Sequence, residues 1–272
     1  LELQIKFSKY FQIPMNLYLK FSCSLILVFV ISIDIYADII PSKIREENIN
    51  NQIIEYIFDA NIIKISSDIE NNFNLIANEN SESKYSILLL HGRGLYPTEP
   101  NVIDPLRISF VEEGLDTYSL QLPVLDKGKS YNEYKQIFKY SDARITSAIK
   151  LIQPKKLIII AHSCGAHMFI SWAKKNNIKN LSGFILIGAG AVDRNQKMIN
   201  GLDYEDISIP ILNIYGEYDH GSVKDYAAIF DDAIKDKNDY LSKNIEIKGS
   251  DHNYLNESNL LVDIVNSWLK SL

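Results

Sequence analysis

From residue 85 onward the chain repeats one rhythm. A short, mostly apolar run is followed by a turn and then by a helix-length stretch with its apolar residues on one face. The runs read SILLLHG, DTYSLQLPV, KKLIIIAH, LSGFILIGAG, IPILNIYG and KNIEIKG. Between the first two, Ile103, Leu106 and Phe110 share a helical face that closes at Gly114, with Pro105 tolerated near the start. Tyr134, Ile137, Phe138, Ser141, Ile145, Ile149 and Ile152 recur at helical spacing before the third run. Further helices are expected at about 165–175 and 224–234. A last one has Leu260, Leu261, Ile264, Val265, Trp268 and Leu269 as its apolar face. Strands that are apolar throughout must be covered on both sides, and the helices that return the chain make neighbouring strands parallel. The expected fold is therefore α/β: a mostly parallel twisted sheet with helices on both faces.

Upstream of this pattern, residues 61–79 alternate weakly and suggest a hairpin turning near Glu70, Asn71 and Asn72. Residues 42–60 are polar with scattered isoleucines and are expected to dock on the domain as a leading segment.

In open parallel sheets, ligands bind beyond the carboxyl ends of the strands, so the loops after each run are where chemistry belongs. After KKLIIIAH comes Ala161-His162-Ser163-Cys164-Gly165 and then a helix. This is the strand–turn–helix pattern G-x-S-x-G with alanine in the first position. The turn is so sharp that the residues flanking the serine must be nearly free of side chain. The hydroxyl then stands at a helix N-terminus, where free N–H groups favour negative charge. The relaxed pattern arises by chance in roughly one chain in five of this length, so Ser163 needs partners elsewhere.

Three other loops supply them. His91-Gly92-Arg93-Gly94 follows the first run, and a glycine-rich turn there can aim backbone N–H groups at the serine. The expected donors are the amides of Arg93 and Cys164. Asp219 follows IPILNIYG and His252 follows KNIEIKG, giving the order Ser, Asp, His. His252 would accept the serine proton and Asp219 would orient the imidazole. Glu217 or Asp251 could serve as the acid instead, and His220 as the base. His91 and His162 are expected to hold loop backbone, with Gly92, Gly94 and Gly165 shaping the turns, and His167 is expected to be structural. The Arg93 side chain either meets an anionic substrate group or points to solvent.

Composition narrows the classes. A net charge of -6 with no basic stripe argues against a nucleic-acid partner. The chain begins with Leu, and Met15 is its first methionine. From there Lys20, an apolar stretch over 21–33 and Ile35-Tyr36-Ala37 resemble a secretory signal with cleavage after Ala37, leaving 38–272 as the mature domain. Residues 1–14 would then lie upstream of the true start. The apolar stretch is shorter than the ~20 residues of a membrane span, so no stable anchor is expected after cleavage. Of two cysteines, Cys23 falls in the signal and Cys164 alone would remain, which excludes an intramolecular disulfide or a cysteine-built metal site in the mature chain.

Together HGRG, AHSCG, GEYD and SDH at successive strand ends resemble the α/β-hydrolase superfamily. Within it, the LLLHGRG turn, the helix containing PLR and the strand SLQLPVL resemble small exported bacterial hydrolase-like proteins. The resemblance spans roughly residues 60–272. It implies a Ser163–Asp219–His252 triad hydrolysing a carboxylic ester or related small-molecule acyl substrate without a cofactor. No metal is expected, the signal-like stretch points to a periplasmic or secreted protein, and a monomer is the default expectation. A silent binding or scaffold protein on the same fold is the alternative. The stretch 191–208, where relatives insert a helical lid, is short here, so little or no lid and a fairly open site are expected.

Overall fold

The computed structural model describes residues 38–154, 156–237 and 239–272; the expected signal and its upstream residues lie outside the described residues. In chain order the elements are α1 (Lys43–Ile53), β1 (Asn61–Ile65), β2 (Phe73–Asn78), β3 (Ser86–Leu90), α2 (Ile103–Glu112) and β4 (Asp116–Leu120). Then come α3 (Tyr131–Tyr134), α4 (Phe138–Ile152), β5 (Leu157–His162), α5 (Cys164–Ala173), β6 (Leu181–Ile187) and β7 (Ile211–Gly216). The last are α6 (Gly221–Ile234), β8 (Lys243–Ile247) and α7 (Ser258–Leu269). The strands form one sheet in the order β1-β2-β4-β3-β5-β6-β7-β8. β1 and β2 form the expected antiparallel hairpin, with Ile65 opposite Phe73 and Asn72 taking a positive φ in the turn. β2 meets β4 antiparallel, and every pairing from β4 to β8 is parallel.

Successive side chains on a strand point to opposite faces, and the core divides accordingly. In β5, Leu157, Ile159 and Ala161 face one apolar cluster while Ile158 and Ile160 face the other. The first cluster is roofed by α3, α4, α5 and α6 through residues such as Tyr131, Ile145, Phe169 and Phe230. The second is roofed by α2 and α7 through Leu106, Phe110, Leu261 and Trp268. Each fully buried isoleucine contributes roughly 1.5–3 kcal/mol relative to exposure, so the central strands anchor everything at their ends.

Two element-level expectations shift. α6 starts at Gly221 rather than at 224, because the chain turns into the helix directly after His220. In α7, Leu260 is 42% exposed while Leu261, Val265, Trp268 and Leu269 are buried. The helical period carries Leu260 just off the apolar stripe.

The leading helix α1 docks through charge. Arg144 of α4, fully buried, donates from Nε to Glu70 (2.7 Å), from Nη2 to Glu46 of α1 (2.9 Å) and from Nη1 to the Gln121 carbonyl (3.0 Å). Lys43 adds a second cation to Glu70 at 2.5 Å. Among the described residues, 191–208 holds no α-helix, only a 3-10 turn at Tyr204–Asp206, which agrees with little or no lid.

Candidate active site

β5 delivers Ser163 in a backbone conformation (φ 55°, ψ -123°) that a side chain rarely adopts. Such a residue costs about 1–3 kcal/mol and persists only where its surroundings enforce it. Enforcement comes from both sides. The Ser163 amide donates to the Ile187 carbonyl of β6 at 2.7 Å. On the other side α5 lies directly on the end of β3: a methyl group at Gly165 would sit 2.4 Å from the His91 carbonyl oxygen and 2.7 Å from that of Leu90. Ala161, by contrast, is wholly buried in the core, so the sharp turn forms with its methyl in place.

Three strand ends converge on the serine. His252 Nε2 lies 2.8 Å from Ser163 Oγ, and His252 Nδ1 lies 2.7 Å from Asp219 Oδ1. A carboxylate can only accept, so Nδ1 carries the proton and Nε2 presents its lone pair to the hydroxyl. Asp219 also accepts from the His220 amide at 2.8 Å. Burial pushes its acidity the wrong way, but the bond from His252 and the surrounding donors outweigh it and hold the pKa below the usual value. Gly188, at φ 60°, lies beneath the imidazole, and a methyl there would come within 2.9 Å of His252 Cε1. The hydroxyl is sheltered, Ser163 being 9% exposed and the His252 side chain 15%, a narrower mouth than the sequence suggested.

The competing residues are occupied elsewhere. Glu217 accepts from the Gly249 amide at 2.9 Å, and Asp251 accepts from Asn253 N at 2.9 Å, closing the turn after β8. His220 stacks obliquely on His252 with ring centroids 4.8 Å apart. Asp219, His220 and His252 could each point one ligand atom within 4.8 Å of the others. Both nitrogens of His252 are already engaged, however, so the donor set fits a proton relay better than a metal cage.

The turn after β3 lies against the serine: a methyl at Gly92 would be 3.4 Å from Ser163 Cβ. Among the described residues, the amides of Arg93 and Cys164 donate to no backbone carbonyl; Cys164 follows Ser163 in the chain, and Arg93 follows Gly92. His91 holds this turn, Nδ1 donating to the Gly92 carbonyl at 2.9 Å while Nε2 accepts from Leu122 N at 3.0 Å. Burial pushes its pKa down to about 4. His162 contacts the His252 carbonyl through Nε2 at 3.2 Å, and burial lowers it to about 3. His167 accepts from Gly190 N at 2.8 Å and is likewise held at about 3 by burial. Cys164 is buried and its thiol is pushed up to about 12, which leaves its side chain inert at neutral pH.

The Arg93 side chain is paired within the protein and does not extend free into solvent. Its guanidinium grips Asp193 through two hydrogen bonds, Nη1–Oδ2 at 2.7 Å and Nη2–Oδ1 at 2.6 Å. Asp193, in the loop after β6, carried no sequence signal, and neither did Gly188 or Arg45. Arg45 of α1 donates to the carbonyls of Leu125 (2.5 Å) and Gly94 (2.8 Å). Tyr131, which donates its amide to Asp193 at 2.6 Å, lies within an S-x-x-E capping box at Ser130–Glu133.

No family model matches the chain, and no curated protein matches it. Solved structures do. An esterase from Pyrococcus furiosus aligns at 14% identity with a TM-score of 0.63, over 80% of this chain and 92% of its own. A carboxylesterase from Bacillus subtilis aligns at 11% identity and TM-score 0.58, over 83% and 97%. A dienelactone hydrolase from Anabaena variabilis aligns at 14% identity and TM-score 0.56, over 78% and 98%. Taken with the strand order and the serine turn after β5, these likenesses establish that the chain has the α/β-hydrolase fold.

Proposed function

We propose that the protein is a serine hydrolase that cleaves a carboxylic ester, thioester or lactone through an acyl-enzyme intermediate. The observation that carries this reading is the unbroken chain Ser163 Oγ–His252–Asp219, with contacts of 2.8 and 2.7 Å. His252 Nε2 takes the hydroxyl proton as Oγ attacks the substrate carbonyl, and Asp219 stabilises the imidazolium. The amides of Arg93 and Cys164 receive the developing oxyanion. Collapse of the tetrahedral species expels the alcohol or thiol, which takes its proton from His252. Water, deprotonated by the same imidazole, then releases the acid and restores Ser163. No step requires a cofactor. The signal-like stretch at 15–37 supports an exported, periplasmic or secreted location for a monomeric enzyme.

A fluorophosphonate probe is expected to label the wild-type chain covalently and to leave Ser163→Ala unlabelled. A folded wild type that takes up no probe, or an ester turnover unchanged in His252→Ala, would favour a silent binding protein on this fold.

A further inference from the structure

Strand order places β5 between β3 and β6. Any bond between the loop after β3 and the loop after β6 must therefore cross the end of β5, where Ser163 and Cys164 sit. One such bond exists, the two-pronged pair between Arg93 and Asp193. Asp193 is held in turn by the Tyr131 amide at 2.6 Å, and Tyr131 packs edge-on against His167 of α5 at 5.1 Å. The strap is thus tied to the helix that begins at the serine turn. Both side chains are about one-third exposed (33% and 34%), so the pair adds little to global stability. Its geometry is nevertheless tightly defined, because a planar guanidinium and a carboxylate meeting in parallel fix each other's orientation. The other anchors of the turn act elsewhere: His91 on Gly92, and Arg45 on the Gly94 carbonyl. Among the described residues, the pair with Asp193 is the hydrogen bonding that holds Arg93 itself, the residue after Gly92, where a methyl would stand 3.4 Å from Ser163 Cβ.

We propose that Asp193 is a positioning residue for oxyanion stabilisation: by holding the Arg93 guanidinium across the end of β5, it keeps the Arg93 amide aimed at the oxygen of the tetrahedral intermediate. This rests on the hydrolase reading. An amide is useful there only while it is within hydrogen-bond reach of an oxygen that becomes charged in the transition state, so its misplacement affects turnover and not substrate binding.

The test compares wild type, Asp193→Asn, Asp193→Glu, Arg93→Gln and the double variant Arg93→Gln/Asp193→Asn on a neutral 4-nitrophenyl ester. A trifluoromethyl ketone, which forms a tetrahedral adduct with the serine, serves as the second probe. Asp193→Asn is expected to lower kcat at least tenfold with KM within about twofold, and to weaken the ketone by a similar factor. Asp193→Glu recovers part of the loss, and the double variant is no slower than the worse single one. The proposal is overturned if kcat and ketone affinity are unchanged in a folded Asp193→Asn, if KM rises with kcat intact, or if the two single losses simply multiply. Arg93→Gln guards against misfolding: should Asp193→Asn fail to fold, an unimpaired Arg93→Gln overturns the proposal alone. A wild type without turnover or fluorophosphonate labelling removes the hydrolase reading and the proposal together, whereas an active wild type with an indifferent Asp193 removes the proposal only.

Discussion

At Gly188 two constraints coincide: a φ of 60° and an imidazole 2.9 Å from where a methyl would stand. Gly188→Ala is therefore expected to push His252 off the serine, lowering kcat by at least tenfold while the urea midpoint moves modestly; steady-state kinetics beside a urea titration checks both. Asp219→Asn is expected to cost about 10⁴ in kcat, because the amide admits the wrong imidazole tautomer, whereas Glu217→Gln should change kcat less than about twofold, its carboxylate being committed to the Gly249 amide. Single residues were legible where strand ends announce them. Ser163, Asp219 and His252 each follow an apolar run, and the structure brings them into one hydrogen-bonded chain. Gly188 was not legible, since its duty is to leave room for a ring 64 positions away, and no local pattern encodes an empty space.

Between elements, a wholly buried ion cluster fastens α1 to α4. Arg144 is fully buried between Glu46 and Glu70, and its guanidinium lies 4.9 Å from the Phe73 ring centroid. Removing one partner of such a cluster leaves uncompensated charge in the core, so Arg144→Ala is expected to destabilise the protein by roughly 3–5 kcal/mol, measured by urea unfolding. From β3 onward most helices and strands could be read from periodicity, and the hairpin of β1 and β2 from a weaker alternation, whereas α1 was expected only as a polar segment that docks and α3 was not separated from the helix after it. The means of docking could not. Glu46, Glu70 and Arg144 are scattered over nearly a hundred positions, and each alone resembles an ordinary surface charge. The strap from Arg93 to Asp193 escaped sequence reading for the same reason, since it depends on β5 lying between strands that are not consecutive in the chain.

Over the whole molecule, several buried groups make stability depend on acid. His91, His162 and His167 are buried neutral, with pKa values of about 4, 3 and 3 against 6.5 in an open chain. Between those limits the unfolded chain binds more protons than the folded one, so their contribution is complete above about pH 6.5 and shrinks as pH falls toward 4. Glu70 and Asp219, both held below their usual values, add a loss of the same sign at lower pH, beginning near their unfolded pKa values. Urea midpoints are therefore expected to drop steadily between pH 6.5 and 4; a flat profile would contradict the neutral burial of the histidines.

The sheet also has a gradient of its own. β5 is buried along its entire length in the middle of the order, while β8, paired on one side only, has a single buried residue, Ile247. The serine thus hangs from the stiffest strand and the histidine from the rim. Warming or dilute urea should loosen the rim first, so that amides of β8 exchange with heavy water before those of β5. On the proposed mechanism, ester turnover would then fade while most of the tertiary signal survives, and cooling would restore it: a reversible dormancy, with Ser163 still in place and His252 temporarily away.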